Sequence, residues 1–305
     1  LLRDPDQLSP PQRARLLALA GSMDVRIRPE MEAPDNDLDQ VEILAGFVHH
    51  LDLDRLPGLR WVQAWSAGVN GLLADPAVMA ADFTITTTSG IHAVPISELV
   101  LAYMTAFSRG LHRAVRAQTT ATWDPEPWSH LSELADRTLL ILGAGAIGNR
   151  VAELGRAFGM HTIGIRRGPV EVLDPVFPVH PVARLSTLLP EADYVVNTLP
   201  LTAETRNLVD ADTFARMKPG TFFVNIGRGA TVDEEALIAA LRSGHLGGAG
   251  LDVFREEPLP AESPLWRLEN VIMTRHHAGS SPRYDERAMD LFLDNLDSGA
   301  YVLTC

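Results

Sequence analysis

The chain has 305 residues, 46% hydrophobic and 21% charged, the composition of a soluble globular protein with room for two domains. Its formal net charge of −13 argues against a nucleic-acid partner, because neutralising phosphates requires clustered Lys and Arg. No apolar run approaches the ~20 residues of a membrane span, the N-terminus lacks a signal-peptide pattern, and the single cysteine, Cys305, rules out an intrachain disulfide; a reducing cytoplasm is the expected compartment.

Over the first hundred residues, short apolar runs alternate with polar or proline-rich connectors. Residues 11–20 read as a helix, and 41–47, 59–65 and 83–88 as strands. Leu1 and Leu2 precede a turn, as the remnant of a shortened first strand would. From Pro95, residues 95–118 read as one long helix, with Ile96, Leu99, Val100, Tyr103 and Phe107 at three- and four-residue spacing. The polar stretch 119–130, containing Trp123 and Trp128, reads as an exposed arm or loop.

A regular series follows: strand 138–143, helix 146–159 and strand 161–166, then strands at 194–199, 221–227, 248–254 and 271–274. A helix at 233–244 lies among them, with acidic residues in its first turn and Gly244 as its stop. Strands alternating with helices predict a parallel, doubly wound sheet. The last helix, near 284–296, is expected to return to the first domain. Lys218, the only lysine, lies in the turn-like 216–220, a setting that favours a solvated side chain over a Schiff-base nucleophile.

Strand 138–143 runs directly into Gly143-Ala144-Gly145-Ala146-Ile147-Gly148. In this GxGxxG, Gly143 permits the tight turn, Gly145 lets a pyrophosphate approach the backbone, and Gly148 allows close helix–strand packing. The helix that starts there offers free N–H groups and the positive end of its dipole. At the end of the second strand an NAD site would carry Asp or Glu for the ribose hydroxyl; this chain instead has Arg166 and Arg167, which suit a 2′-phosphate. NADP(H) is therefore expected over NAD(H).

Further motifs stand at later strand ends: 225–230 (NIGRGA), 251–260 (LDVFREEPLP) and 274–279 (TRHHAG). Together with 66–70, 90–104, 199–209, 218–237 and 263–274, they resemble the D-isomer-specific 2-hydroxyacid dehydrogenases, a family that includes glyoxylate/hydroxypyruvate reductases. The resemblance implies two doubly wound α/β domains: a flavodoxin-like substrate domain over 1–92 and a Rossmann domain over 93–282, with 283–305 returning to the first. It places the catalytic arginine on Arg228, its acid partner on Glu257 and the catalytic histidine on His276. It places cofactor contacts on Gly143, Gly145, Ala146, Ile147, Gly148, Arg166, Arg167, Pro200, Thr205, Ile226, Asp252 (the nicotinamide-binding aspartate) and Gly279. Ala67, Gly68 and Val69 match the substrate-carboxylate loop, and a homodimer joined through the dinucleotide domains is expected. Arg275 departs from the family, which commonly has proline there.

These roles make chemical sense. Reducing a 2-keto acid requires holding a carboxylate, polarising a carbonyl and delivering a proton to its oxygen. A planar guanidinium can touch both groups, and imidazole titrates near working pH. Glu257 beside the ring would favour imidazolium and fix the tautomer. Trp65, Ile91, His92 and Trp266 are expected pocket walls. A metal site at His276-His277 with His49-His50 is disfavoured, because adjacent strand residues face opposite ways and ligand spacing is lacking. Competing functions on the same fold are a nucleotide-sensing, corepressor-like regulator and a relative acting on formate or phosphite.

Overall fold

The computed structural model describes residues 8–19, 38–48, 50–123, 131–167 and 177–298. The suspected strand at Leu1 and Leu2, together with His49, Trp128 and Cys305, lies outside the described residues. The chain divides into two compact units, Leu1–His92 with Ser280–Cys305, and Ala93–Gly279.

The first unit contains α1 (Pro10–Leu19), β1 (Ile43–Gly46), β2 (Trp61–Ala64), α2 (Asn70–Leu73), α3 (Pro76–Ala80) and β3 (Thr84–Thr87). Its described strands form a parallel sheet in the order β1-β2-β3. Every residue of β2 is buried, as a central parallel strand requires. Three polar members of this interior pair with one another: Trp61 Nε1 donates to Thr86 Oγ1 at 2.8 Å, and Thr86 donates to Gln63 Oε1 at 2.7 Å.

The second unit begins with α4 (Ala93–Ser108) and α5 (Leu111–Thr119). Then come β4 (Thr138–Leu142), α6 (Ala146–Ala157), β5 (His161–Arg166), β6 (Val179–Pro181), α7 (Leu185–Leu188), β7 (Tyr194–Asn197), α8 (Ala211–Arg216), β8 (Thr221–Asn225), α9 (Glu234–Arg242), β9 (Leu246–Leu251) and β10 (Val271–Met273). The seven strands are parallel, in the order β10-β9-β8-β7-β4-β5-β6. Strand order reverses between β4 and β7, the switch point of a doubly wound Rossmann sheet. One face buries Leu140, Val195, Phe223 and Leu251; the other buries Leu139, Ile141, Val196 and Val224 against Val100, Met104 and Phe107 of α4.

The final helix, α10 (Tyr284–Ser298), belongs to the first unit. It packs Ala288, Met289, Phe292 and Leu293 against Leu16, Trp61 and Trp65. Gln12 of α1 donates to Glu286 O at 2.8 Å and Asp290 Oδ1 at 2.7 Å, and Asn295 donates to Gln63 Oε1 at 2.9 Å.

The α/β class with two parallel sheets is as expected; two local expectations are corrected and one further strand is found. The helix predicted over 95–118 is two helices, because Gly110 adopts φ +65 and ends α4, and a side chain there would sit 3.1 Å from Leu131. Strand β6 was not expected: it is three residues long, and its Pro181 is tolerated because β6 is an edge strand. The strand predicted over 248–254 runs only from Leu246 to Leu251; the Asp252 N–H still bonds Asn225 O of β8 at 3.0 Å, while its carboxylate bonds the loop after β10. Among the described residues no helix is long and apolar enough to cross a membrane.

Candidate active site

One row of register pairs sets out the site. Ile165, Leu142, Asn197, Asn225, Leu251 and Met273 are successive partners across β5-β4-β7-β8-β9-β10. The residues that follow them, Arg166, Gly143, Thr198, Ile226, Asp252 and Thr274, therefore line the carboxyl edge of the sheet, where open α/β sheets bind ligands.

The three glycines of the β4–α6 turn serve three purposes. Gly143 has φ +104, and a Cβ there would lie 2.7 Å from Thr198 Oγ1. At Gly148 a Cβ would lie 2.3 Å from Gly143 O, so only glycine lets α6 start this close to the strand. At Gly145 a Cβ would meet nothing within 4 Å. Gly145 is also the N-cap of α6 and makes no side-chain cap bond, so open space lies over a helix N-terminus beginning at Ala146 and Ile147. That combination fits a pyrophosphate.

Arg228 sits just beyond β8, on a loop held from beneath. Asn197 and Asn225 are buried register partners, and Asn197 Nδ2 donates to Asn225 Oδ1 at 3.0 Å and to Thr231 Oγ1 at 2.7 Å. Thr231 in turn donates to Arg228 O at 2.6 Å. The flanking glycines are obligatory: a Cβ at Gly227 would stand 2.6 Å from Leu199 O, and one at Gly229 1.8 Å from Phe254 O. The Gly229 contact presses the arginine loop onto the loop that carries Glu257. Sequence reasoning missed these supports, since two strand-end asparagines and two glycines carry no distinctive spacing. The Arg228 guanidinium is half-buried and donates to Gly227 O at 2.7 Å. Burial lowers its pKa, opposed by the negative charge of Glu257.

Glu257 and His276 meet directly, with His276 Nδ1 and Glu257 Oε2 2.6 Å apart. The other carboxylate oxygen accepts the Phe254 N–H at 2.9 Å. His276 is exposed and adopts φ +52, a left-handed conformation that is strained for a residue with a side chain. Asp252 is 1% exposed and bonds the same turn: Oδ1 accepts from His277 N at 3.0 Å and Oδ2 from Ala278 N at 2.9 Å. The His276 turn thus has Glu257 on the ring and Asp252 on the backbone.

The remaining expected positions are distributed as follows. Arg166 and Arg167 are exposed at the end of β5, and Arg167 pairs with Glu204 at 3.3 Å. Thr205 donates to Pro200 O at 2.7 Å in the loop after β7, and Ile226 is buried, its N–H bonded to Asn197 O at 3.1 Å. Gly279 ends the second unit, while Ala67, Gly68 and Val69 follow β2 in the first. Arg275 and His277 are exposed. Trp65 is 1% exposed and packs in the core of its unit, so it is not a pocket wall; Trp266 is 55% exposed. Among the described residues no group of three or more His, Cys, Asp or Glu could hold a metal ion.

Comparison with known proteins accords with this geometry. Residues 101–278 match the family model for the D-isomer specific 2-hydroxyacid dehydrogenase NAD-binding domain. The (S)-sulfolactate dehydrogenase of Chromohalobacter salexigens is 35% identical over 252 residues, covering 80% of this chain and 78% of the relative. Glyoxylate/hydroxypyruvate reductase B of Salmonella newport is 35% identical over 248 residues, covering 80% and 76%. A D-isomer specific 2-hydroxyacid dehydrogenase from Xanthobacter autotrophicus Py2, solved with NADPH and MES, has a TM-score of 0.79 and 30% identity, covering 97% of this chain and 93% of that one. The chain belongs to the D-isomer-specific 2-hydroxyacid dehydrogenase family.

Proposed function

We propose that the protein reduces small 2-keto acids of the glyoxylate/hydroxypyruvate kind to D-2-hydroxy acids, using NADPH in preference to NADH. The observation that carries this reading is the Glu257–His276 hydrogen bond on a loop pressed against that of the half-buried Arg228, in the unit that also holds the dinucleotide turn. When bound, the nicotinamide supplies the hydride for the keto carbon. Arg228 binds the substrate through a planar fork that reaches carboxylate and carbonyl oxygens together. His276, its Nδ1 held by Glu257, uses Nε2 to give a proton to the carbonyl oxygen and to recover it in the reverse reaction. Glu257 fixes the ring orientation through its bond to Nδ1. Ala67, Gly68 and Val69 supply backbone N–H groups for the substrate carboxylate.

Gly143, Gly145, Ala146, Ile147 and Gly148 hold the pyrophosphate, and Arg166 and Arg167 the 2′-phosphate. Pro200, Thr205, Ile226, Asp252 and Gly279 line the rest of the cofactor path. The open Gly145 and the NADPH bound by the Xanthobacter relative support this assignment. We also propose a homodimer formed through this unit, supported by exposed Leu111 and Val115 on α5 and exposed Trp266; sedimentation velocity tests it.

The decisive experiment follows NADPH and NADH oxidation with glyoxylate, hydroxypyruvate, 3-sulfopyruvate and branched and aromatic 2-keto acids. Turnover of a small keto acid with a higher kcat/KM for NADPH is the expected result. Turnover of none of them, or a His276→Gln variant as active as wild type, would overturn the reading.

A further inference from the structure

We infer that Tyr103, Thr274 and Asp252 form a hydrogen-bonded strut that holds the His276 turn in its working conformation, which makes Tyr103 and Thr274 positioning residues for the proton donor. The positioning role rests on the function proposed above; the strut itself rests on geometry.

A left-handed conformation at a residue with a side chain is strained and persists only where its surroundings impose it. His276 has φ +52, and its side chain is 46% exposed, so core packing does not impose it. Asp252 does, from both sides of the residue. Its Oδ1 accepts from Thr274 Oγ1 at 2.5 Å and from His277 N at 3.0 Å, and its Oδ2 accepts from Ala278 N at 2.9 Å. Residues before and after His276 are thereby tied to one buried carboxylate.

The direction of the bonds brings in Tyr103. A carboxylate only accepts, so the Thr274 hydroxyl must spend its single proton on Asp252. The Thr274 oxygen then accepts from the Tyr103 hydroxyl, 2.5 Å away, which also lies 3.3 Å from Leu251 O. Burial raises the Tyr103 pKa, which keeps that hydroxyl a protonated donor.

Tyr103 is itself seated by complementary periodicities. On β9, Gly248 and Gly250 share a face at i and i+2, while Tyr103 and Phe107 share a stripe of α4 at i and i+4. A Cβ at Gly250 would lie 2.6 Å from Tyr103 Cγ, and one at Gly248 2.9 Å from Phe107 Cε1. The bare strand face admits the two rings, and α4 thereby delivers a hydroxyl to the carboxyl ends of β9 and β10.

The test compares Tyr103→Phe, Thr274→Val and Thr274→Ser with wild type by amide hydrogen exchange at His277 and Ala278 and by steady-state kinetics. Amide exchange needs no substrate and reads the turn directly. In Tyr103→Phe and Thr274→Val both amides should exchange about tenfold faster or more, reporting local opening. In the same two variants kcat should fall about tenfold with both KM values within about twofold, because misplacing a reacting group lowers turnover before binding. Thr274→Ser keeps the hydroxyl and should restore both. Unchanged exchange in both variants overturns the strut; faster exchange with wild-type kcat overturns the positioning role. A wild-type protein that turns over no 2-keto acid defeats the proposed reaction, while the strut is still decided by the exchange data.

Discussion

Glu257 grips His276 Nδ1 with one carboxylate oxygen at 2.6 Å while its other oxygen accepts the Phe254 N–H at 2.9 Å. The acid is therefore oriented by backbone before it meets the ring, and Nε2, the proposed proton donor, lies outside this bond. Glu257→Gln preserves the shape and removes the charge. We expect kcat for keto-acid reduction to fall about 10²- to 10⁴-fold in Glu257→Gln and in His276→Gln. The double variant should be little worse than either single, since the two act as a unit. Steady-state NADPH oxidation measures all three, and an additive double variant would contradict the shared role.

Substitutions at Gly229 and Gly145 should separate catalysis from cofactor binding. A methyl at Gly229 would lie 1.8 Å from Phe254 O and must push the Glu257 loop away from Arg228. Gly229→Ala should lower kcat about 100-fold, the cost of an ångström-scale misplacement. NADPH affinity, followed by fluorescence titration, should remain close to wild type. A methyl at Gly145 meets nothing in the protein, so Gly145→Ala should fold normally with an unchanged Tm. It should weaken NADPH about tenfold, or about 1.4 kcal/mol, because the phosphates lose their approach to the backbone.

The parts of the site legible in the sequence are those whose signal is local. Glycines at fixed spacing between a strand and a helix identify the dinucleotide turn, and Arg228, Glu257 and His276 each stand in a short strand-end motif. The supports for those residues are not local. Gly229 meets Phe254 backbone to backbone, Asn197 meets Asn225 across two strands, and Asp252 reaches past its strand end to His277 and Ala278. Such contacts leave no periodicity, because each half is an ordinary residue until the sheet register pairs them. The break at Gly110 was hidden for a different reason: apolar spacing continues through it, and only the positive φ shows that the helix stops.

Lys218, the one lysine, is placed at the amino end of the sheet, where its Nζ lies 2.7 Å from Asp193 Oδ1. Asp193 also accepts the Thr138 N–H at 2.8 Å and lies 3.3 Å from Arg137. Burial works to raise the Asp193 pKa, but the bonds from Lys218 and Thr138 and the charges of Lys218 and Arg137 outweigh it, and the carboxyl lies below its ordinary value. A depressed folded-state pKa contributes stability that is present above the unfolded value, near pH 4, and is lost as pH falls through the folded one. Asp193→Asn should therefore cost about 1–2 kcal/mol at neutral pH, toward the low end because Lys218 is partly solvated. The difference from wild type should shrink steadily below about pH 4 in urea titrations. A cost independent of pH would assign Asp193 a packing role instead.

Arg166 and Arg167 stand side by side at the end of β5 but in different electrostatic settings. Arg167 already faces Glu204, 3.3 Å away, and Glu204 in turn accepts from Thr202 at 2.8 Å. A 2′-phosphate would have to compete with that carboxylate for Arg167, whereas Arg166 is exposed and carries no ion pair among the described residues. Arg166→Ala should therefore raise the KM for NADPH by about tenfold, the loss of one charge-assisted pair, with the KM for NADH barely changed. Arg167→Ala should have a smaller effect, because Arg167 is already engaged by Glu204 and the Glu204 charge it unmasks is exposed and screened. Glu204→Gln should improve NADPH use by releasing Arg167. The three variants, assayed with both cofactors at low and high salt, give an order of KM(NADPH) with Arg166→Ala highest and Glu204→Gln lowest. The reverse order for the two arginines would move the phosphate contact to Arg167.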